Sequence, residues 1–336
     1  RLTQVAVVIA GAVGHLPILR QTPRNVSVDN YVGAGYFRGM AMTSPWTPDR
    51  IPDLTGRHAV VTGGNSGLGQ VAATHLAARG ATVTLAVRDV SRGERAASAI
   101  TGDVRVRQLD LASLDSVRAF AADWDEPIDI LLNNAGIMLV PQGRTVDGFE
   151  LQVGTNHLGH FALTLQLLPH LRDRVVTVSS QAHRRGRIGL DDLHWERRAY
   201  DPAGAYAQAK LANLLFTLEL ARRLEGRSSV RSLAAHPGYS ATNLQNHSGK
   251  RGPHVVMQLA NRFIARDAEA GTEPLLFAAV EDIPSGSYVG PAKAYEFRGQ
   301  PTLVGRSPAA SNVELAKEFW LRSAKEVGLS PELTLG

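Results

Sequence analysis

The chain has 336 residues, 44% apolar and 20% charged, with a formal net charge of +5 at pH 7; it is long enough for one large α/β domain or two small ones. It contains no cysteine, which excludes a disulfide scaffold, a thiolate nucleophile and Cys-ligated zinc or iron–sulfur sites and is compatible with a reducing cytoplasm, the expected location. The positive charge does not indicate a nucleic-acid partner, because the arginines are scattered among acids and the densest run, AHRRGR at 182–187, is short and reads as a solvated loop.

Residues 1–41 differ in composition from the remainder of the chain. The apolar run VAVVIAGAVGHLPIL at 5–19 is too short to span a bilayer and is interrupted by His15. A single basic residue before it and the lack of a convincing cleavage site argue against a signal peptide. Met40 and Met42 stand just before the patterned region, so residues 1–41 are expected to be an upstream extension outside the fold, with 42–336 forming one domain.

From residue 57 short apolar runs alternate with segments of helical spacing. RHAVVT (57–62) ends in GGNSGLG, and QVAATHLAARG continues as a helix closed by Gly80. Next come ATVTLAV (81–87), a polar helix near 91–100, VRVRQLD (104–110), a helix SLDSVRAFAADW (113–124) and IDILLNNAG (128–136). A long helix near 148–171 precedes RVVTVSS (174–180), a second near 203–224 precedes VRSLAAHPG (230–238), and GSYVGP (286–291) reads as a last strand. Such alternation predicts an α/β fold: a single Rossmann-type, doubly wound parallel sheet of about seven strands with helices on both faces. Strands covered on both faces read as near-continuous apolar runs. Two segments, 181–202 and 239–266, fall outside the alternation and come after carboxyl ends of strands, where this architecture binds ligands; both are expected to be substrate loops. The second carries Val255, Val256, Met257, Leu259, Phe263 and Ile264, which suit a hydrophobic substrate and equally a structural helix.

TGGNSGLG (62–69) comes after a strand and opens a helix, so its backbone N–H groups suit a dinucleotide pyrophosphate. It lacks a succeeding Gly-Lys-Ser/Thr, so it is not a nucleoside-triphosphate loop. The candidate cofactor contacts here are Gly63, Asn65, Ser66, Gly67, Leu68 and Gly69. At the next strand tip, LAVRD places Arg88 before Asp89, which favours the 2′-phosphate of NADP over the free ribose of NAD. Asp89 is open to a solvated-loop reading.

In YAQAKLANLLF, Tyr206 and Lys210 lie one helical turn apart and face the same way. Lys210 is the first lysine in a chain whose 36 basic residues are mostly arginine. A phenol can protonate the alkoxide formed when a carbonyl accepts hydride, provided its pKa is lowered, and a neighbouring ammonium lowers it. A compact ammonium donates in three directions where a guanidinium is bulkier. His157 and His160 lack a third ligand, so a metal site is not expected and both read as polar positions on a helix face. Asp110 suits either a cap for the next helix or a cofactor contact at a strand end.

Together TGGNSGLG, RDVSRGERA, DLASLDSVRAF, NNAGIM, TNHLGHFALT, VTVSSQAH, YAQAKLANLLF and HPGYSATNL resemble the short-chain dehydrogenase/reductase family, within it the retinol-dehydrogenase-like and protochlorophyllide-reductase-like branch, from Leu54 to about Trp320. The resemblance implies an NADP(H)-dependent enzyme interconverting an alcohol and a ketone or aldehyde through a relay of Asn156, Ser180, Tyr206 and Lys210. It also implies cofactor contacts from Asp110 and Leu111, from Asn134, Ala135 and Gly136, from Tyr206 and Lys210, and from Pro237, Gly238 and Thr242. Ala209 departs from the family's frequent serine, and the missing cysteine disfavours protochlorophyllide reduction. A carbon–carbon double-bond reductase and a non-catalytic dinucleotide sensor are the rival functions. The expected partner is a small hydrophobic molecule, with no nucleic acid, no stable membrane span and a homo-oligomer open.

Overall fold

A computed structural model describes residues 45–238, 268–293, 296 and 298–336. The extension 1–41, the loop 239–266 and Thr242 lie outside the described residues. Eight strands form one sheet in the order β3-β2-β1-β4-β5-β6-β7-β8: β1 (His58–Thr62), β2 (Thr82–Val87), β3 (Val104–Gln108), β4 (Ile128–Asn133), β5 (Leu171–Val178), β6 (Arg231–Ala235), β7 (Tyr288–Lys293) and β8 (Arg298–Leu303). The first seven run parallel, and β8 returns antiparallel to β7. About seven strands were expected, and the described residues form eight. RGQPTL, with its glycine and proline and half-exposed side chains, carries no apolar run to announce an edge strand.

Alternation along each strand divides the core. Ala59 and Val61 of β1 face one side with Leu76 of α1 (Gly67–Ala78), Ala96 of α2 (Val90–Ala97) and Leu275 of the helix α7 (268–280). Val60 faces the other, with Val117 of α3 (Leu114–Ala122), Phe161 of α5 (Gly159–Leu167) and Phe216 of α6 (Pro202–Leu224). Helix α8 (Val313–Val327) lies outside this second layer, where Trp320 stacks on Phe216 at 5.9 Å and meets the edge of Phe161. This cover explains why α6, with 17 buried residues, shows no clean polar stripe in sequence. At the start of the fold, Trp46 is fully buried against Phe277 and donates to Glu281 at 2.6 Å.

The long helix expected near 148–171 is broken into pieces. A turn of α4 (Leu151–Val153) passes into a π-turn (Gly154–Leu158), then α5, then a 3₁₀ turn at Leu168–His170 that ends in β5 at Leu171. Helix α6 is better marked: Asp201 caps Ala203 and Gly204, and Pro202 takes the first-turn position.

Candidate active site

The strand order reverses between β1 and β4, so their carboxyl ends open a crevice. Thr62, the last residue of β1, holds its two walls together: its hydroxyl accepts the N–H groups of Asn134 and Ala135, each at 2.9 Å. The Asn134 amide in turn donates to the Thr62 carbonyl at 2.8 Å. Gly63, at φ +66°, passes so close to the second turn that an added Cβ would lie 3.1 Å from Ala135. A Cβ on Gly69 would sit 2.5 Å from the Asn134 amide. Beyond these contacts the start of α1 is open among the described residues. Gly67 has φ +55° with nothing within 4 Å of an added Cβ, and Ser66 makes no capping hydrogen bond. The first-turn N–H groups of α1 are therefore uncapped by that side chain, which is the chemistry a pyrophosphate needs.

At the neighbouring tip, Asp89 caps α2 by accepting the Arg92 N–H at 3.0 Å. Arg88 is exposed, and Arg92 and Arg95 line a shallow cleft of about 260 Å³ with Asn65, Gln70 and Ala96. Farther along, Ser113 rather than Asp110 caps α3; Asp110 stays at the strand end and accepts the Ala112 N–H at 2.9 Å. Leu111 is buried, with its carbonyl 2.3 Å from where a Cβ on Gly159 would sit, so the turn after β3 presses on the first residue of α5.

The four candidate relay residues converge over the ends of β4 and β5. Lys210 is 4% exposed and donates to the Val178 carbonyl at 3.0 Å, while its own carbonyl accepts the Ser179 hydroxyl at 2.8 Å. The ammonium lies 5.7 Å from the centroid of the Tyr206 ring. Burial pulls the Lys210 ammonium down to about 8. Burial pushes the Tyr206 phenol above its ordinary value, against the Ser180 hydroxyl hydrogen-bonded to it, which lowers it. The expectation that Lys210 brings this phenol down is therefore not met by the protein alone; desolvation dominates a site closed on this side. Ser180 also accepts the Ala182 N–H at 3.2 Å, capping the 3₁₀ turn Gln181–Arg185 and fixing its hydroxyl at the mouth of the site.

Asn156 sits in the π-turn, fully buried, and its amide clasps Ile137, accepting its N–H at 2.8 Å and donating to its carbonyl at 2.9 Å. Gly136 fits between: an added Cβ would lie 3.2 Å from Asn156 Oδ1 and 3.8 Å from Lys210 Nζ. Pro237 and Gly238 come after β6 at the same end of the sheet, with Gly238 at φ +71° and its N–H bonded to His236 Nδ1 at 3.2 Å.

Sequence reasoning missed two groups. His157 and His160, expected as polar positions on a helix face, are 1% exposed each, and His160 bonds Thr62 and the Asn156 carbonyl. Glu296, at φ +66°, receives His236 Nε2 at 3.2 Å, Arg184 at 3.0 Å and the Gln181 amide, joining the turn after Ser180 to the turn of Gly238. Nothing in the spacing of Gln181, Arg184 and His236 pairs them; Glu296, between β7 and β8, does.

The sequence model of the short chain dehydrogenase family matches residues 57–252. Retinol dehydrogenase 13 of Homo sapiens is 41% identical over 294 residues, spanning 82% of this chain and 86% of its own. Retinol dehydrogenase 12 of Homo sapiens is 41% identical over 290 residues, spanning 82% and 88%. A crystal structure from Mycobacterium Paratuberculosis, 50% identical, covers 87% of this chain and all 100% of that one with a TM-score of 0.77. A short chain dehydrogenase from Burkholderia cenocepacia J2315, solved in complex with NADP, is 25% identical over 70% of this chain and 96% of its own, with a TM-score of 0.53. The chain belongs to the short chain dehydrogenase family, as an oxidoreductase acting on alcohol and carbonyl groups with NAD(P). Within that family it falls in the retinol-dehydrogenase-like branch.

Proposed function

We propose that the protein interconverts a hydrophobic alcohol and its aldehyde or ketone with NADP(H). The observation that carries this reading is the convergence of Ser180, Tyr206, Lys210 and Asn156 beside the Gly136 turn. The nicotinamide, when bound, supplies or accepts the hydride. The chain's own groups do the rest. Gly67 leaves room for the pyrophosphate against the start of α1, Gly63 and Gly69 let the Asn134–Ala135 turn close beside it, and the Asn134–Gly136 turn and Pro237–Gly238 flank the nicotinamide end. Ser180 and Tyr206 hold the substrate oxygen, and Tyr206 passes the proton with Lys210 and Asn156 behind it. Lys210, pulled down to about 8 by burial, exchanges a proton readily near neutral pH.

Two features support NADP. Asp89, the acid that would read a free ribose 2′-hydroxyl, is occupied as the cap of α2. Arg88 and the Arg92–Arg95 cleft beside Asn65 supply positive charge for a 2′-phosphate. The NADP complex of the Burkholderia relative and the names of the retinol dehydrogenases support the cofactor and a large apolar alcohol as substrate class. The test is oxidation of a series of apolar and polar primary alcohols, retinol included, with NADP or NAD, tracking the reduced cofactor by absorbance and the product by chromatography. Faster turnover of long apolar alcohols with NADP is expected. A saturated product formed from an enone would instead identify a double-bond reductase, and no turnover with intact dinucleotide binding would identify a sensor.

A further inference from the structure

His160 belongs to a hydrogen-bonded chain that the Ser180–Tyr206–Lys210–Asn156 relay does not use. Its ring is buried inside the layer between α5 and the sheet. Nδ1 lies 3.0 Å from the carbonyl oxygen of Asn156, one turn back, and Nε2 lies 2.9 Å from the Thr62 hydroxyl. A carbonyl accepts only, so Nδ1 carries the proton and Nε2 is the acceptor. The Thr62 hydroxyl then donates to Nε2, and its oxygen is free to accept the N–H groups of Asn134 and Ala135 at 2.9 Å. One proton arrangement satisfies every partner: from the Asn134 turn to Thr62, from Thr62 to His160, and from His160 to the Asn156 carbonyl. The other acceptor near the Thr62 hydroxyl, the Leu132 carbonyl, is farther, at 3.4 Å.

The titratable groups facing the ring are Lys210 and His157. Burial, with Lys210 adding to it against the Asn156 bond, pulls the imidazole down to about 4, so it stays neutral through the working range. A charged ring would lose the Thr62 bond and stand beside a second cation.

We propose that His160 is a positioning residue of the proton relay: as a neutral Nδ1–H imidazole it holds the Asn156 carbonyl and ties it, through Thr62, to the turns that carry the dinucleotide. The inference rests on the proposed function and adds a member to its relay. Two halves of the ring have two jobs, and two isosteres separate them. His160→Asn places a donor where Nδ1 stood and loses Thr62; His160→Gln reaches toward Thr62 and loses the Asn156 carbonyl.

The experiment measures kcat, its solvent deuterium isotope effect and the dissociation constant of NADPH for wild type and both variants. In His160→Gln, kcat is expected to fall roughly tenfold, the cost of one lost hydrogen bond at the transition state, with a larger solvent isotope effect and unchanged NADPH affinity. His160→Asn is expected to keep kcat within about threefold while binding NADPH several-fold more weakly. Equal effects of the two variants, or a solvent isotope effect that does not move, overturn the proposal. A readout independent of variant folding is nitrogen-15 NMR of the wild-type ring at pH 7: Nδ1 protonated and Nε2 bare is expected, and the opposite tautomer or a charged ring overturns it. Wild-type protein that binds neither NADPH nor NADH overturns the proposed function instead, and the tautomer still reports on the hydrogen-bonded chain.

Discussion

The Lys210 ammonium stands 5.7 Å from the centroid of the Tyr206 ring and donates one of its protons to the Val178 carbonyl at 3.0 Å. Both residues come from α6, one turn apart, but β5 aims them: the strand end supplies the carbonyl that anchors the amine and the serine that bonds the phenol. With Lys210 only 4% open to solvent, a bulkier, planar guanidinium requires its neighbours to shift. Lys210→Arg is expected to lower kcat by about 100-fold or more, as loss of a positioned acid–base group does, while overpacking lowers the melting temperature. Steady-state kinetics beside a thermal melt decide this; wild-type turnover in the arginine variant would remove the lysine from the mechanism.

Tyr206→Phe keeps the ring and removes the proton donor. Turnover is expected to vanish with NADPH binding intact, read by fluorescence titration. Retained turnover would assign the proton to another group, with Ser180 the nearest.

Arg88→Leu tests the cofactor. Removing a guanidinium from a 2′-phosphate contact is expected to weaken NADP by about tenfold or more with NAD little changed, since charge-assisted bonds to phosphate are among the stronger ones. Equal losses for both dinucleotides contradict a 2′-phosphate role.

The parts of this site legible in sequence are those in which neighbours along the chain are neighbours in space. The glycine turn at 63–69, the Asn134–Gly136 turn and the Tyr206–Lys210 pair each lie within one turn or one helix face. The role of Asp89 was not legible, because a ribose-reading acid and a solvated-loop residue look alike on paper; its bond to the Arg92 N–H makes it the cap of α2, a role neither reading named. The π-turn was hidden too: GTNHLG has helical spacing, and the extra residue accompanies the clasp of Asn156 on Ile137, which no local spacing announces. The burial of His157 comes from α8, whose Phe319 lies 4.9 Å from its ring and whose Ser323 bonds its Nε2 at 2.9 Å, more than 160 residues away in sequence.

These buried histidines make stability depend on acid. Burial pulls His157 down to about 3 and His160 to about 4, whereas both take up protons near pH 6.5 when unfolded. Below pH 6.5 the unfolded chain binds more protons than the folded one, so stability falls as pH falls, by about 2 kcal/mol per histidine at pH 5. Urea midpoints at pH 7 and pH 5 measure the slope. His157→Leu, which removes one of the two groups, is expected to flatten it by about one proton; an unchanged slope would place the acid sensitivity elsewhere.

Glu296 provides a separate handle on the end of the site proposed to take the nicotinamide. Burial alone would raise its carboxyl, but His236 and Arg184 hold it below the usual carboxylate range, so it is an anion bonded to both functional turns. Its His236 partner is fully buried under Gly290, where an added Cβ would lie 2.0 Å from Nε2, and it bonds Gly238 through its other nitrogen. Losing the carboxylate frees the Gly238 turn and the turn after Ser180 together, without touching the start of α1 or the Arg88 tip. Glu296→Ala is therefore expected to weaken NADPH by about tenfold, the loss of charge-assisted bonds, while leaving 2′,5′-ADP affinity unchanged, because that fragment ends before the nicotinamide. Isothermal titration with both ligands separates the cases: equal weakening of the two would mean that Glu296 supports the fold as a whole rather than this end of the site.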